Sequence, residues 1–217
     1  MISGAAAMSG SEMFERPLQS ATPSHYPLLL FYHPLDIYRK RVIKQADVVL
    51  AMFLLGNAFS HETKQRNFQF YDPLTTGDSS LSTCVEAIIA AQIGDMKKAI
   101  HYGMAALLMD LADVGGNVKN GCHIASMGGT WMMLTYGFGG MRDDDGTLSF
   151  WPRRAPEDNA ILRFPLTYRG QMLEVEIGME QVEYTLREGN ALVLRHENEE
   201  IQLTREHPLA VRPISRR

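Results

Sequence analysis

The sequence predicts a chain that is helical in its first part and rich in β-strands in its second part. Between residues 34 and 137, apolar side chains recur every three or four positions, the period of a helix with one buried face. After the acidic turn at residues 143–146, apolar and polar side chains alternate with a period of two, which is typical of strands. We therefore place a domain boundary between residues 139 and 146.

Signals for helix ends divide the first part into four predicted helices. Gly56-Asn57 is a stop signal for the first helix. The hydroxyls of Ser79 or Ser80 can cap the second, and Asp95 is a good cap for the third. Polar stretches without helical periodicity are predicted as loops. The predicted helices cover residues 34–55, 79–94, 96–111 and 123–137, and the predicted loops cover residues 60–73 and 113–121.

The second part, residues 147–213, is predicted to be a small antiparallel β-sheet or β-sandwich domain. Glycines at Gly170, Gly178 and Gly189 mark turns between short strands. Strands with one polar face form antiparallel sheets that bury the other face. The predicted inward residues are Leu173, Val175, Ile177, Val182, Tyr184, Leu186, Leu192, Leu194, Ile201 and Leu203.

Composition excludes several classes of protein. The formal net charge of −4 over 217 residues leaves no dense basic face, so a nucleic-acid partner is not expected. No segment approaches the roughly 18 consecutive apolar residues of a membrane span, so no membrane partner is expected either. Cys84 and Cys122 have no metal-site or redox spacing and are predicted to be reduced thiols of a cytoplasmic protein. Residues 1–25 lack helical periodicity and signal-peptide features, and we predict a disordered leader.

Polar clusters open three of the apolar helices, and together they predict the rim of a binding site. Helix amino ends leave N–H groups unpaired, and nearby hydroxyls make such ends suitable for anions. A lysine and an amide in the first cluster add a positive charge and further hydrogen-bond donors. The clusters are Lys44-Gln45-Ala46-Asp47, Thr76-Gly77-Asp78-Ser79-Ser80-Leu81-Ser82 and Gly121-Cys122-His123-Ile124-Ala125-Ser126-Met127-Gly128-Gly129-Thr130-Trp131.

Each cluster also has a purely structural interpretation. A serine at position 79 or 80 can serve only as a helix cap, and Lys44 with Gln45 can lie on a solvated helix face. His123 alone is compatible with an ordinary hydrogen-bonded histidine. Ser126 is not in a nucleophile elbow, so a serine hydrolase is not expected.

Taken together and in this order, the clusters resemble those of glycoside hydrolase family 65, which includes maltose, trehalose and kojibiose phosphorylases and related α-glucosidases. The matching stretches extend from Lys44-Gln45 through Asp72-Pro73 and Asp78-Ser79-Ser80 to His123 and Gly129-Thr130-Trp131. The resemblance covers roughly residues 26–213. It implies that residues 26–140 are the last part of an (α/α)6-barrel catalytic domain, and that the strands form the family's C-terminal β-domain.

The resemblance also implies an activity and the residues that serve it. In the family a glutamate protonates the leaving sugar while inorganic phosphate attacks the anomeric carbon from the opposite face, giving β-glucose 1-phosphate with inversion. Phosphate is then a co-substrate, and no metal or other cofactor is expected. The implied glucosyl-binding residues are Lys44 and Gln45, and the implied phosphate-binding residues are Gly77, Ser79, Ser80, His123 and Gly129.

Two departures from the family pattern keep other functions open. A Gly-Pro-Asp-Glu-Tyr-like motif with the acid glutamate is absent from these 217 residues, so we expect the chain to be inactive alone. Many phosphorylases have histidine where this chain has Gly77, which leaves a family 65 hydrolase as an alternative. A third alternative is a non-catalytic sugar- or phosphate-binding remnant or subunit. The expected partners are an α-linked disaccharide, phosphate, an N-terminal part present as a separate chain, and a second copy in a homodimer.

Overall fold

The computed structural model describes residues 28–77, 79–114, 116, 118–155 and 159–215. The predicted leader, residues 1–25, lies outside this range. Helices come first and two β-sheets follow, which confirms the predicted order. The helices are α1 (Leu28–Phe31), α2 (Pro34–Tyr38), α3 (Asp47–Leu54), α4 (His61–Tyr71), α5 (Ser82–Ile93), α6 (Met96–Leu107) and α7 (Ile124–Met132), with short 3-10 turns at Gly56–Ala58, Asp72–Leu74 and Val118–Asn120.

The first predicted helix, residues 34–55, is wrong as a single element. It is divided into α2 and α3 by residues 39–46, which are not helical. The reason is a tertiary pairing, because Ile43 forms a parallel β-bridge with Thr75. Lys44 and Gln45 therefore lie in an irregular segment directly before α3.

The predicted loop at residues 60–73 is also wrong, because most of it forms α4. Ser60 caps this helix, its hydroxyl oxygen accepting from the main-chain N–H of Thr63 at 3.1 Å. Lys64 and Phe68, one turn apart, are both buried and form the inner face. So little of the helix is apolar that its periodicity is weak, which is why the sequence pattern indicated a loop.

Helix α5 is the centre of the helical core. Residues 82–91 are all buried, so the helix has contacts on every side. It begins at Ser82 rather than at Ser79 or Ser80, and ends at Gly94, which has a left-handed φ of 88°. Asp95 then caps α6 as predicted, its carboxylate accepting from the main-chain N–H of Lys98 at 3.1 Å.

The last helical segment changes its winding. Helix α7 continues as the π-helical segment Met133–Phe138, so the predicted helix to residue 137 is present but not α-helical throughout. Tyr136 in this segment packs against the cores of both the helices and the strands. Among the described residues, no helix has the length and hydropathy needed to cross a membrane.

The strands form two sheets that share one core. Strand order is β2-β3-β4-β7 in the four-stranded sheet and β1-β5-β6 in the three-stranded sheet. The predicted antiparallel arrangement holds except for β1, which pairs with β5 in parallel. Alternate residues are buried along β3 to β6, as the period-two pattern predicted. The strands are β1 (Leu148–Phe150), β2 (Leu162–Tyr168), β3 (Gln171–Ile177), β4 (Gln181–Glu188), β5 (Ala191–His196), β6 (Glu199–Thr204) and β7 (Leu209–Pro213).

A buried histidine bridges the two sheets. The Nε2–H of His196, on β5, donates to the carbonyl oxygen of Pro213, on β7, at 3.0 Å. Its Nδ1 is hydrogen-bonded to the hydroxyl of Tyr184, on β4, at 2.8 Å. Both ring nitrogens are thus satisfied within the core. This network links β4, β5 and β7 across the two sheets.

Candidate functional site

The amino ends of α3, α5 and α7 lie at the same end of the helical part. The main-chain N–H of Ala46, before α3, donates to the hydroxyl of Ser82, which begins α5. Gly129 of α7 packs against Cys84 of α5, and farther along, Gly137 packs against Ile88. The later residue of the α7 segment lies beside the later residue of α5, so the two helices run in the same direction. The polar clusters that precede these helices are therefore presented at a common end.

The first two clusters are joined by hydrogen bonds. Ile43 donates its main-chain N–H to the carbonyl of Leu74 at 2.9 Å and accepts from the N–H of Thr76 at 2.8 Å. The side-chain amide of Gln45 donates to the hydroxyl oxygen of Ser79 at 3.3 Å. These bonds hold the segment that carries Lys44 against the serine loop.

Lys44 and Gln45 differ in their environments. Gln45 is half-buried and its amide is engaged by Ser79, which fixes its position. The Lys44 side chain is exposed at the same end of the helices. An exposed ammonium beside an anchored amide can contact a hydroxyl or an anion without prior rearrangement of the core.

Ser79 has the geometry of a hydrogen-bond donor held in place. Its side chain is buried, and its oxygen accepts both from Gln45 and from the main-chain N–H of Leu81, at 3.3 Å. Because both contacts use the oxygen, and no acceptor for the hydroxyl hydrogen lies among the described residues, that hydrogen can be donated to a ligand. Ser80 is half-buried beside it. The bond to Leu81 lies in the turn before α5 and is not a cap of the helix, whose N-cap residue is Leu81 and which has no side-chain cap.

Gly77 and Gly129 are glycines for different reasons. Gly77 has a left-handed φ of 74°, and no atom of the described residues lies within 4 Å of the position a Cβ would take. Gly129 is buried against α5, where an added Cβ would lie 2.9 Å from the Cβ of Cys84 and closer still to its sulfur. Gly129 therefore lets α7 approach α5 closely, whereas no atom of the described residues lies within 4 Å of the Cβ position of Gly128.

His123 is bound by a residue that the sequence did not single out. The ring Nδ1 of His123 lies 2.6 Å from one carboxylate oxygen of Asp110. The other oxygen accepts the main-chain N–H of His123 at 2.8 Å. These bonds hold the pKa of Asp110 below its usual range, so the carboxylate is ionised. His123 comes directly before α7, and the side chain retains 22% of its exposure.

Two residues of this region were missed in the sequence. Ser82 was grouped with the serine loop but not assigned a contact, and Asp110 was placed inside a predicted helix. Asp110 and His123 are thirteen positions apart, and no local pattern indicates such a pairing. Among the residues that the structure describes, no group of three or more histidine, cysteine, aspartate or glutamate side chains is arranged to hold a metal ion.

The arrangement defines the chemistry that this end of the helices can perform. It presents serine hydroxyls, a side-chain amide, an ammonium and a histidine near helix amino ends, all of which suit sugar hydroxyls and anions. Models of two protein-family domains match successive parts of the amino-acid sequence. The glycosyl hydrolase family 65 central catalytic domain matches residues 12–132, and the family's C-terminal domain matches residues 141–203.

The chain therefore belongs to glycosyl hydrolase family 65, and the resemblance predicted from its motifs is confirmed. It is 41% identical over 187 residues to an α,α-trehalose phosphorylase of Geobacillus stearothermophilus, covering 86% of this chain and 24% of the relative. A maltose phosphorylase of Bacillus subtilis is 36% identical over 170 residues, covering 78% of this chain and 22% of the relative.

A solved structure shows the same fold. It is described as "Putative kojibiose phosphorylase from human microbiome" and superposes with a TM-score of 0.82 at 28% identity. The match covers 90% of this chain and 26% of the other. The chain thus spans about a quarter of the length of the relatives that it matches.

Proposed function

We propose that this chain supplies the glucosyl- and phosphate-binding residues of an inverting α-glucoside phosphorylase. The reaction would cleave an α-linked glucose disaccharide with inorganic phosphate, giving β-glucose 1-phosphate and glucose. Lys44 and Gln45 would hold hydroxyls of the glucosyl unit. Ser79, Ser80 and His123 would bind the phosphate, with Gly77 and Gly129 at its border. Phosphate would be the co-substrate, with no further cofactor.

One hydrogen bond carries the proposal, the 3.3 Å contact between the Gln45 amide and the Ser79 hydroxyl. Phosphorolysis requires the attacking oxygen to lie about 3–3.5 Å from the anomeric carbon in the bound state. A sugar-binding side chain and a phosphate-binding side chain must therefore be neighbours. Gln45 and Ser79 are in direct contact although 34 positions separate them in the chain.

The phosphate role of the serine loop follows from its donors. Among the described residues, the two hydrogen bonds of the Ser79 side chain both use its oxygen, which leaves its hydrogen for an anionic oxygen. Ser80 stands next to it in the turn before α5, where the main-chain N–H groups of the first turn have no helical acceptor. A hydrogen bond to a charged group contributes roughly 1.5–3 kcal/mol, more than one to a neutral group, so each serine that donates to the ligand would favour phosphate over a neutral ligand.

The general acid would come from outside these 217 residues, which contain no Gly-Pro-Asp-Glu-Tyr-like motif. Exposed apolar side chains on α6, directly after it and on α7 form a surface that supports this part of the proposal. Leu107, Leu111 and Met127 line one hollow there. Leu111 is 82% exposed and Ile124 is 70% exposed. Further helices of a catalytic domain would cover this surface. Its other members are Ile100, Met104 and Trp131.

Phosphate dependence of the products tests the proposal. The chain would be joined to the remaining part of a family 65 catalytic domain, and we refer to this protein as the completed enzyme. With maltose, trehalose or kojibiose, glucose release should require phosphate, and proton NMR should show the β anomer of glucose 1-phosphate first. Phosphate-independent release of two glucose molecules would contradict phosphorolysis.

A family 65 hydrolase is the second candidate, and Gly77 favours it. Glycine has no side chain, and within the described part of the chain no atom lies within 4 Å of where its Cβ would be. Water could occupy the place that phosphate would take. The same assay separates the two functions, because the hydrolase would release glucose at an unchanged rate when phosphate is removed.

We also propose a cytoplasmic location. Cys84 is buried and Cys122 is exposed, and both are free thiols. An exposed free thiol is usual in a reducing compartment and uncommon outside it. Mass spectrometry of protein alkylated in cells would test this, because Cys122 should be modified quantitatively without a reductant.

A further inference from the structure

Asp110 directs both of its carboxylate oxygens to a single residue. One oxygen lies 2.6 Å from the Nδ1 of His123, and the other accepts the main-chain N–H of His123 at 2.8 Å. Asp110 follows the end of α6, and His123 precedes the start of α7. The pair therefore ties the end of one helix to the start of the next.

This double contact restrains the orientation of the imidazole ring. The main-chain bond fixes the carboxylate relative to the backbone of His123, and the ring must then turn its Nδ1 toward the remaining oxygen. Because the carboxylate is ionised, it only accepts hydrogen bonds, so Nδ1 carries the proton. The Nε2 atom is on the opposite edge of the ring, away from Asp110.

We propose that Asp110 is a positioning residue that holds His123 in one ring orientation and one tautomer, so that His123 contacts phosphate through Nε2. This inference rests on the proposed phosphate role of His123. A neutral ring with its proton on Nδ1 has a lone pair on Nε2, which accepts a hydrogen bond from a P–OH group. A protonated ring donates from the same atom to a P–O⁻ group. In both states the Nδ1–H of His123 donates its hydrogen bond to Asp110.

Nitrogen NMR of the histidine rings tests the positioning step in this chain without any enzymatic assay. Nitrogen-15 shifts distinguish the two tautomers of a neutral imidazole, and His123→Gln identifies the signal. We expect wild-type His123 to carry its proton on Nδ1. In Asp110→Asn only one acceptor oxygen remains for two donors, so the Nε2–H tautomer should gain population.

A matched control lies in the same loop. Asp113→Asn removes the same charge, but the Asp113 side chain accepts from the main-chain N–H of Val118 and does not contact His123. It should leave the His123 tautomer unchanged. If Asp110→Asn does not fold, the wild-type spectrum still decides, because an Nε2–H tautomer there would overturn the inference.

Titration with inorganic phosphate separates this inference from the proposed function. We expect the Nε2 shift of wild-type His123 to respond to phosphate, and the apparent affinity to fall about tenfold in Asp110→Asn but not in Asp113→Asn. No response in wild type would overturn the phosphate role of His123 and, with it, this inference. A wild-type response that Asp110→Asn reproduces, with the same tautomer and affinity, would overturn the positioning role alone.

Discussion

The main-chain N–H of Ala46 donates to the hydroxyl oxygen of Ser82 across 3.1 Å, and this buried bond joins the amino ends of α3 and α5. The same contact brings the Lys44-Gln45 segment to the serine loop. It therefore connects the stability of the helical core with the geometry of the candidate site.

Replacing Ser82 with alanine should destabilise the protein. Ser82 is 2% exposed, and its loss would leave the N–H of Ala46 buried without an acceptor. An unsatisfied buried group of this kind costs about 1–3 kcal/mol. Urea unfolding followed by circular dichroism would measure the loss. Ser80→Ala is the matched control, because Ser80 is more exposed, and an equal loss in both variants would show that the Ala46 bond is unimportant.

The isolated chain should be catalytically inert. It contains no acid motif of the family type, and general acid–base catalysis typically contributes on the order of 10²–10⁴-fold. Incubation with phosphate and maltose, trehalose or kojibiose should release no glucose above a protein-free control. A completed enzyme assayed in parallel would show that the conditions permit turnover. Robust turnover by the purified 217-residue chain would contradict this prediction.

Ser80→Ala and Lys44→Ala should affect different substrates of the completed enzyme. Loss of a hydrogen bond to a charged group should weaken the apparent phosphate affinity of Ser80→Ala about tenfold to a hundredfold, with little change for the disaccharide. Lys44→Ala should instead weaken the disaccharide and lower kcat, because a contact that tightens in the transition state is lost. Initial rates with phosphate and disaccharide varied separately would decide this. Equal losses for both substrates in Ser80→Ala would favour a role limited to helix capping.

Glu86→Gln should remove a pH dependence of stability. Glu86 is 2% exposed on α5, and burial, followed by the nearby Asp72 charge, raises its pKa from 4.5 to about 7. The folded state therefore binds the proton more tightly than the unfolded state. Proton binding by Glu86 therefore adds to the free energy of unfolding below pH 4.5. This contribution, roughly 3 kcal/mol at most, is lost as the pH rises through 7.

Urea unfolding at pH 5 and pH 8 would test this, because the Gln variant should lose less stability over that interval than wild type does. Glu62→Gln is the control. Glu62 is exposed and forms an ion pair with Arg66, so its replacement should leave the pH dependence as in wild type. A wild-type profile that is flat between these values would show that Glu86 is not protonated in the folded state.

The strand-rich part was predictable because its signal is local. Side chains alternate across a strand, so residues such as Val175 and Tyr184 could be placed inside from their neighbours alone. Helix α4 was not predictable in this way. Its buried face consists of Lys64 and Phe68, and only the tertiary structure shows that a lysine stem is covered there.

Some features of the candidate site were likewise predictable from the sequence, and others were not. The sequence by itself determined the family, the order of helices before strands, and the three polar clusters at helix starts, because each is a matter of residue types at short spacing. The tertiary structure alone decided which side chains meet: Gln45 with Ser79, Ala46 with Ser82, and Asp110 with His123. These pairs are 13 to 36 positions apart, and their contact depends on how α3, α5, α6 and α7 pack around a shared apolar core. No local pattern of hydrophobicity specifies that packing.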